Sequence, residues 1–280
     1  MIGLEKLNIS SKSIPSLPLV IQEIINLSEK EENDFQVLIG KLQKDPGLTA
    51  QVLALANSSF YGLQNKVSSL REACIVLGVH TLKSIALAAG IINHFPASKL
   101  SAVSVDDIWR HSVGTAVAAR VLAELTVVEP DLAFTAGLLH DIGKIIINKK
   151  ARDKYLEVIE YKKHNDCYML DAEKVVLGIT HAEVGEFVAK KWKLPEPICS
   201  VIRYHHADFE QAESKLPALI HVADIVSCGL LAEVVEDSMI YPFDSKALEM
   251  LSLDIETIGK YLQVIDKMIG VSGSILLAKH

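Results

Sequence analysis

His140 and Asp141 stand side by side where an apolar run, Ala136 to Leu139, ends, and Gly143 and Lys144 follow. An imidazole and a carboxylate rising out of an apolar segment are costly to bury without a partner. A metal ion is such a partner, because neutral imidazole and carboxylate are among its common ligands. Lys144 adds a cation suited to an anionic substrate such as a phosphate ester. Alone, the pair reads first as a helix end whose polar residues cap it and face water, since short motifs match by chance. Further donors have to come from elsewhere, and the second half of the chain contains them. Asp107 and His111 are four apart and share one helix face. His181 falls in the first turn of its helix, His205 and His206 close another, and Asp224 lies on a polar stripe of an otherwise apolar helix. Facing helices that each supply one or two ligands are how helical bundles build metal centres.

Each donor has a plainer role open to it. Asp107 can complete a capping box with Ser104. His111, after Trp109 and Arg110, can sit on the surface, and His181 can be exposed at a helix start. One of His205 and His206 can miss the site, and Asp224 can pair with a nearby cation. His221, one turn before Asp224, reads as a core histidine. What favours metal is that the donors cluster at helix ends within one half of the chain. Mixed imidazole and carboxylate suits one or more divalent ions of iron, manganese, nickel or zinc.

The elements that must position these residues are helical. Apolar residues recur at helical spacing and strand-like alternation is nearly absent. Starts and stops punctuate the chain: Asp45-Pro46, Ser69 to Glu72, Ser104 to Asp107, Pro130-Asp131 and Thr180 to Glu183 open helices, and Gly78 closes one. Helices are expected over Leu19–Leu27, from Asn33-Asp34, after Pro46, over Ala73–Leu77, Thr81–Ile92, Ile108–Leu125, Ala151–His164, Val184–Trp192, Leu216–Leu231 and Asp254–Met268, with one more ending at Tyr204. Pro96 to Ser104 reads as a linker. The expectation is an all-α protein of two helical lobes, 1–98 and 99–280, with no catalytic residue in the first.

Bulk properties narrow the class. The chain has 280 residues, half of them apolar, and a net charge of −7. An acidic chain argues against a broad nucleic-acid-binding face. Cys74, Cys167, Cys199 and Cys228 are scattered, as buried thiols in a reducing compartment would be. With no signal-like start and no uncharged run of membrane-spanning length, a soluble cytoplasmic protein is expected.

The second half resembles the HD superfamily of metal-dependent phosphohydrolases, whose pattern is a His, a His-Asp pair and a distant Asp, here matched by His111, His140-Asp141 and Asp224. His181 and the His205-His206 pair resemble the fuller ligand set of the HD-GYP branch. That branch also has an acidic ligand where Asp107 stands and a phosphate-contacting Lys where Lys144 stands. Its Gly-Tyr-Pro segment is missing; Ala207-Asp-Phe-Glu-Gln follows the His pair instead. The whole chain is most similar to the HDOD family, the HD-related output domain. The resemblance is carried by Ile14-Pro-Ser-Leu-Pro18, Leu42-Gln-Lys-Asp-Pro-Gly-Leu48, Ala56-Asn-Ser-Ser-Phe-Tyr-Gly62, Glu72-Ala73 and Leu77-Gly78.

The resemblance implies an HD-like helical bundle in the second lobe and a bacterial signal-transduction protein. As an enzyme it would hydrolyse a phosphate ester, with Asp141 bridging two ions and Lys144 steadying the phosphate. As a regulatory module it would use the ion to staple helices and the first lobe to meet a signalling protein. A third reading leaves the donors without metal. Neither a nucleic acid nor a membrane is expected as partner.

Overall fold

The computed structural model describes residues 4–5, 7–10, 12–27, 34–58, 61, 63–95, 102–206, 209, 214–231 and 240–276. No strand occurs among them. The first half carries α1 (Leu19–Ile25), α2 (Asp34–Leu42), α3 (Pro46–Ala56), α4 (Leu70–Leu77) and α5 (Val79–His94). The second carries α6 (Val105–Ala123), α7 (Pro130–Leu139), α8 (Ile142–Lys150), α9 (Arg152–Asn165), α10 (Met169–Val176), α11 (His181–Lys191), α12 (Glu196–Tyr204), α13 (Leu216–Leu231), α14 (Ser245–Leu251) and α15 (Ile255–Leu276).

The helix starts follow local chemistry. Asp45 accepts from the Leu48 N–H and Pro46 takes the first helical position, where a missing N–H is no loss. Thr180 and Glu183 form a reciprocal capping box at α11. Ser69 accepts from the Glu72 N–H at 3.2 Å, but Glu72 reaches back to the Ser68 N–H (2.7 Å), one residue before the position a capping box requires. The cap of α7 is Glu129, which accepts from Asp131 and Leu132 ahead of Pro130. Three helices escaped the periodicity: α8, because the polar break at His140-Asp141 restarts a helix at once, and α10 and α14, which are too short to show a period. Asn33 and residues 96–101 of the expected linker lie outside the described residues. Beyond them, Ala102 and Val103 donate to Asn148 Oδ1 at 2.7 and 3.3 Å, and Asn148 returns a bond to Val103 O.

In the second half α6 lies at the centre, packed by α7, α13 and α15, while α11 rests on α8 and α12. In the first half α5 holds α1, α3 and α4 together and packs against α7. One contiguous apolar core runs through both halves, from Leu38, Leu55 and Ile85 to Val117, Phe134 and Val222. Polar ties reinforce it. Thr81 and Arg120 both bond to Asp131 at the start of α7. Trp109 Nε1 donates to Phe95 O at 3.2 Å and Trp192 Nε1 to Pro15 O at 2.9 Å. None of the described helices is long and apolar enough to cross a membrane.

Two helix crossings need glycine. A Cβ on Gly137 would lie 2.8 Å from Ala116 Cα, so α7 could not sit so close to α6. A Cβ on Gly143 would collide with the His181 carbonyl and lie 2.9 Å from Gly185 N, pushing α8 off α11. Overpacking of this kind costs about 1–3 kcal/mol or more. Gly229, on exposed α13 surface with nothing within 4 Å of its would-be Cβ, is the control. Urea unfolding should show Gly143→Ala destabilised by at least about 1 kcal/mol and Gly229→Ala stabilised by up to about 1 kcal/mol.

Candidate metal centre

Six helices deliver the donors. His111 comes from the middle of α6. His140 is the C-cap that follows Leu139 at the end of α7, and Asp141 precedes the first residue of α8. His181 opens α11, His205 and His206 follow α12, and Asp224 projects from α13. Asp141 occupies an N-cap position yet its side chain makes no cap bond. It turns into the protein, 1 % exposed, among rings that are themselves buried.

Its two oxygens face different ways. Oδ2 lies 3.6 Å from His111 Nε2 and 3.4 Å from His140 Nε2. Asp224 Oδ1 joins that side, 2.9 Å from His111 Nε2 and 3.7 Å from His140 Nε2. Oδ1 of Asp141 lies 3.3 Å from His181 Nε2 and 3.8 Å from His205 Nε2. His206 Nε2 completes the second side, 3.0 Å from His181 Nε2. His111, His140 and Asp141 thus form one donor group, Asp141, His181, His205 and His206 another, and His111, Asp224 and Cys228 a third that shares His111 with the first.

These donors fit an ion. Bonds of about 2.0–2.1 Å in tetrahedral or octahedral geometry put neighbouring ligand atoms about 2.9–3.5 Å apart, close to the separations seen. Ring nitrogens face ring nitrogens at 3.3 Å for His111 and His140 and at 3.4 Å for His181 and His205. Asp141 Oδ1 is buried and accepts no hydrogen bond, whereas buried polar atoms are normally satisfied. Cations held by these donors would satisfy Asp141 Oδ1 and the facing ring nitrogens.

The electrostatics suit the same purpose. Burial works against ionised Asp141, but His140, Lys144 and His181 outweigh it and hold the carboxyl well below its ordinary range. Burial likewise opposes the charge on Asp224, and the His111 hydrogen bond overrides it. Burial pushes His205 and His206 well below the usual imidazole value, and neighbouring rings push further. Both are therefore neutral, the form that binds metal. Burial also lowers His111, but Asp224 prevails and its pKa is raised. Lys144 Nζ, partly buried at the rim, sits 2.7 Å from Asp141 Oδ2.

Both members of the His205-His206 pair reach the centre. Asp107 is in none of the donor groups; its backbone N–H donates to Ser104 Oγ at 3.2 Å, so what the structure shows of it is helix capping. His221 is a core histidine with a bracing contact, its Nδ1 donating to His205 O at 3.0 Å. Two neighbours went unread in the sequence. Glu173 accepts from His181 Nδ1; a separation of eight residues hides the link. Cys228 Sγ lies 3.9 Å from His111 Nδ1 and 3.8 Å from Asp224 Oδ1, and its i,i+4 spacing from Asp224 was the available signal. Elemental analysis of protein purified without chelator should find Asp141→Asn short of at least one ion per chain and Asp107→Asn at wild-type metal content.

The chain is similar to known proteins in sequence and in fold. An HDOD domain protein of unknown function from Geobacter sulfurreducens superposes with a TM-score of 0.77 at 26 % identity, over 94 % of this chain and 93 % of that one. A protein of Shewanella amazonensis SB2B, provisionally named a phosphohydrolase, shares the fold with a TM-score of 0.77 at 24 % identity, covering 99 % of this chain and 98 % of its own. An uncharacterized protein of Treponema pallidum is 24 % identical over 75 % of this chain, which spans only 41 % of that relative's length. Ribonuclease Y of Aquifex aeolicus is 30 % identical over 44 % of this chain and 17 % of its own. The family model for the HDOD domain matches residues 14–208, and the chain belongs to the HDOD domain family.

Proposed function

We propose that this HDOD protein is a metal-dependent phosphohydrolase acting on a phosphate ester, in a bacterial signalling context. The observation that carries the reading is the division of Asp141, whose Oδ2 faces His111 and His140, rings that Asp224 also meets, while its Oδ1 faces His181, His205 and His206. Divalent ions held by these two sets would supply an acidified water as nucleophile and positive charge against a phosphoryl oxygen.

The chain's own groups do the rest. His140 and His205 are fixed by bonds from Nδ1 to backbone carbonyls, Gly137 O at 2.6 Å and Ile202 O at 3.1 Å, which leaves Nε2 to point inward. Burial of the rings keeps water out and strengthens every charge within. Lys144 stands at the rim beside Asp141. Its ammonium would meet a phosphate oxygen as a point charge rather than bind an ion.

An acidic chain favours a small ester as substrate, although the likeness to ribonuclease Y adds short RNA to the panel worth testing. Cyclic dinucleotides rank lower, because no Gly-Tyr-Pro follows His206. A second reading is a non-catalytic regulatory module that docks a signalling protein. It draws on the exposed apolar pair Ile75 (73 %) and Val76 (54 %) on α4.

The deciding assay is turnover. Protein loaded with Mn²⁺ or Fe²⁺ should hydrolyse at least one member of a panel of chromogenic mono- and diesters. Asp141→Ala should fall to background. Lys144→Ala should lose about 10²-fold in kcat while keeping its metal. No turnover on the whole panel would favour the regulatory module, and loss of metal from Lys144→Ala would refute the role given to that lysine.

A further inference from the structure

Glu173 belongs to none of the donor groups, yet it is fully buried. Its Oε2 accepts from the His181 backbone N–H and from the His181 ring, both at 2.7 Å. Its Oε1 is buried and accepts nothing. Among the described residues its ion pair is with His181 alone. A carboxylate taken out of water with one oxygen unsatisfied and no Lys or Arg beside it is expensive. The cost is offset where positive charge reaches it through the ring.

The other rings lack such a partner. His140 and His205 turn Nδ1 to carbonyls, and His111 turns its own toward the Cys228 thiol. His206 Nδ1 is buried without a hydrogen bond. An ionised carboxylate only accepts, so the ring nitrogen facing Glu173 must carry the proton.

We infer that Glu173 is a positioning residue for one half of the metal centre. It locks His181 with Nδ1 protonated and Nε2 bare, and its charge strengthens that ring as a ligand beside Asp141 Oδ1, His205 and His206. A carboxylate behind a ligating imidazole raises its basicity, and loss of such a partner costs about 10–100-fold in metal affinity. The inference rests on the metal-binding part of the proposed function and is independent of turnover.

The test uses the full chain, stripped of metal and titrated with Co²⁺, reading visible absorption and ions bound per chain. Long-range ¹H–¹⁵N spectra of the histidine rings are recorded on the metal-free protein. In the wild type, His181 should be the Nδ1–H tautomer. Glu173→Gln preserves volume and an acceptor but removes the charge; it should keep that tautomer and bind one Co²⁺ about 10–100-fold more weakly, with the other unchanged. Glu173→Leu should release the tautomer and lose that ion. Unchanged Co²⁺ affinity in Glu173→Gln, or a wild-type His181 protonated on Nε2, would overturn the inference. If neither variant folds, the wild-type tautomer decides. A shift in affinity without phosphoester turnover supports Glu173 and defeats only the phosphohydrolase reading, whereas a wild type that takes up no Co²⁺ defeats both.

Discussion

Asp141 is a carboxylate at a helix N-cap that declines to cap. A side chain in that position ordinarily accepts from the N–H groups one turn on, and here it points the other way, into a nest of imidazoles. The departure has two consequences. The first turn of α8 gives up its cap, and a charge is carried into the apolar interior, where His140, Lys144 and His181 must hold it ionised. The arrangement of the second half follows from meeting that charge. α7 must end and α8 begin at adjacent residues, α6 and α13 must approach one oxygen, and the ends of α11 and α12 must approach the other.

Such convergence requires helix axes closer than ordinary side chains permit. Gly137 lets α7 lie against the α6 backbone between His111 and His140, and Gly143 lets α8 lie against the start of α11. Both glycines stand within four residues of Asp141. The small residues that read as unremarkable parts of an apolar run are thus what bring the two donor groups to a shared carboxylate.

The first half contributes no donor group among the described residues; every group lies between His111 and Cys228. Its part is mechanical. Thr81 of α5 bonds to Asp131 at the head of α7, and Ser84 Oγ reaches Asp131 O at 3.4 Å. The same helix α7 ends at His140. α15, late in the chain, packs on α6 and also on α3 of the first half. The halves therefore share a core, and α7 is a physical link between the first half and the centre.

Much of this was legible in the sequence because it is local. Proline after Asp45, the Thr180–Glu183 box and Gly78 with its positive φ act within a turn of themselves, and they place helix ends whatever the rest of the chain does. The eight candidate ligands could be found by residue type, five of them (His140, Asp141, His181, His205 and His206) also by position at helix ends, and seven of the eight converge. Asp107 shows the limit of such reading: one turn before His111 it has the right spacing, but spacing on one helix says nothing of where the partner helices stand. Glu173 shows the converse. It is the nearest carboxylate to His181 Nδ1 only because α10 packs back past the start of α11, and no pattern in the intervening residues records that. Which oxygen of Asp141 faces which rings, and that both members of the His205-His206 pair arrive, were decided by the tertiary structure alone, since they depend on how closely separate helices cross and not on any residue's own preference.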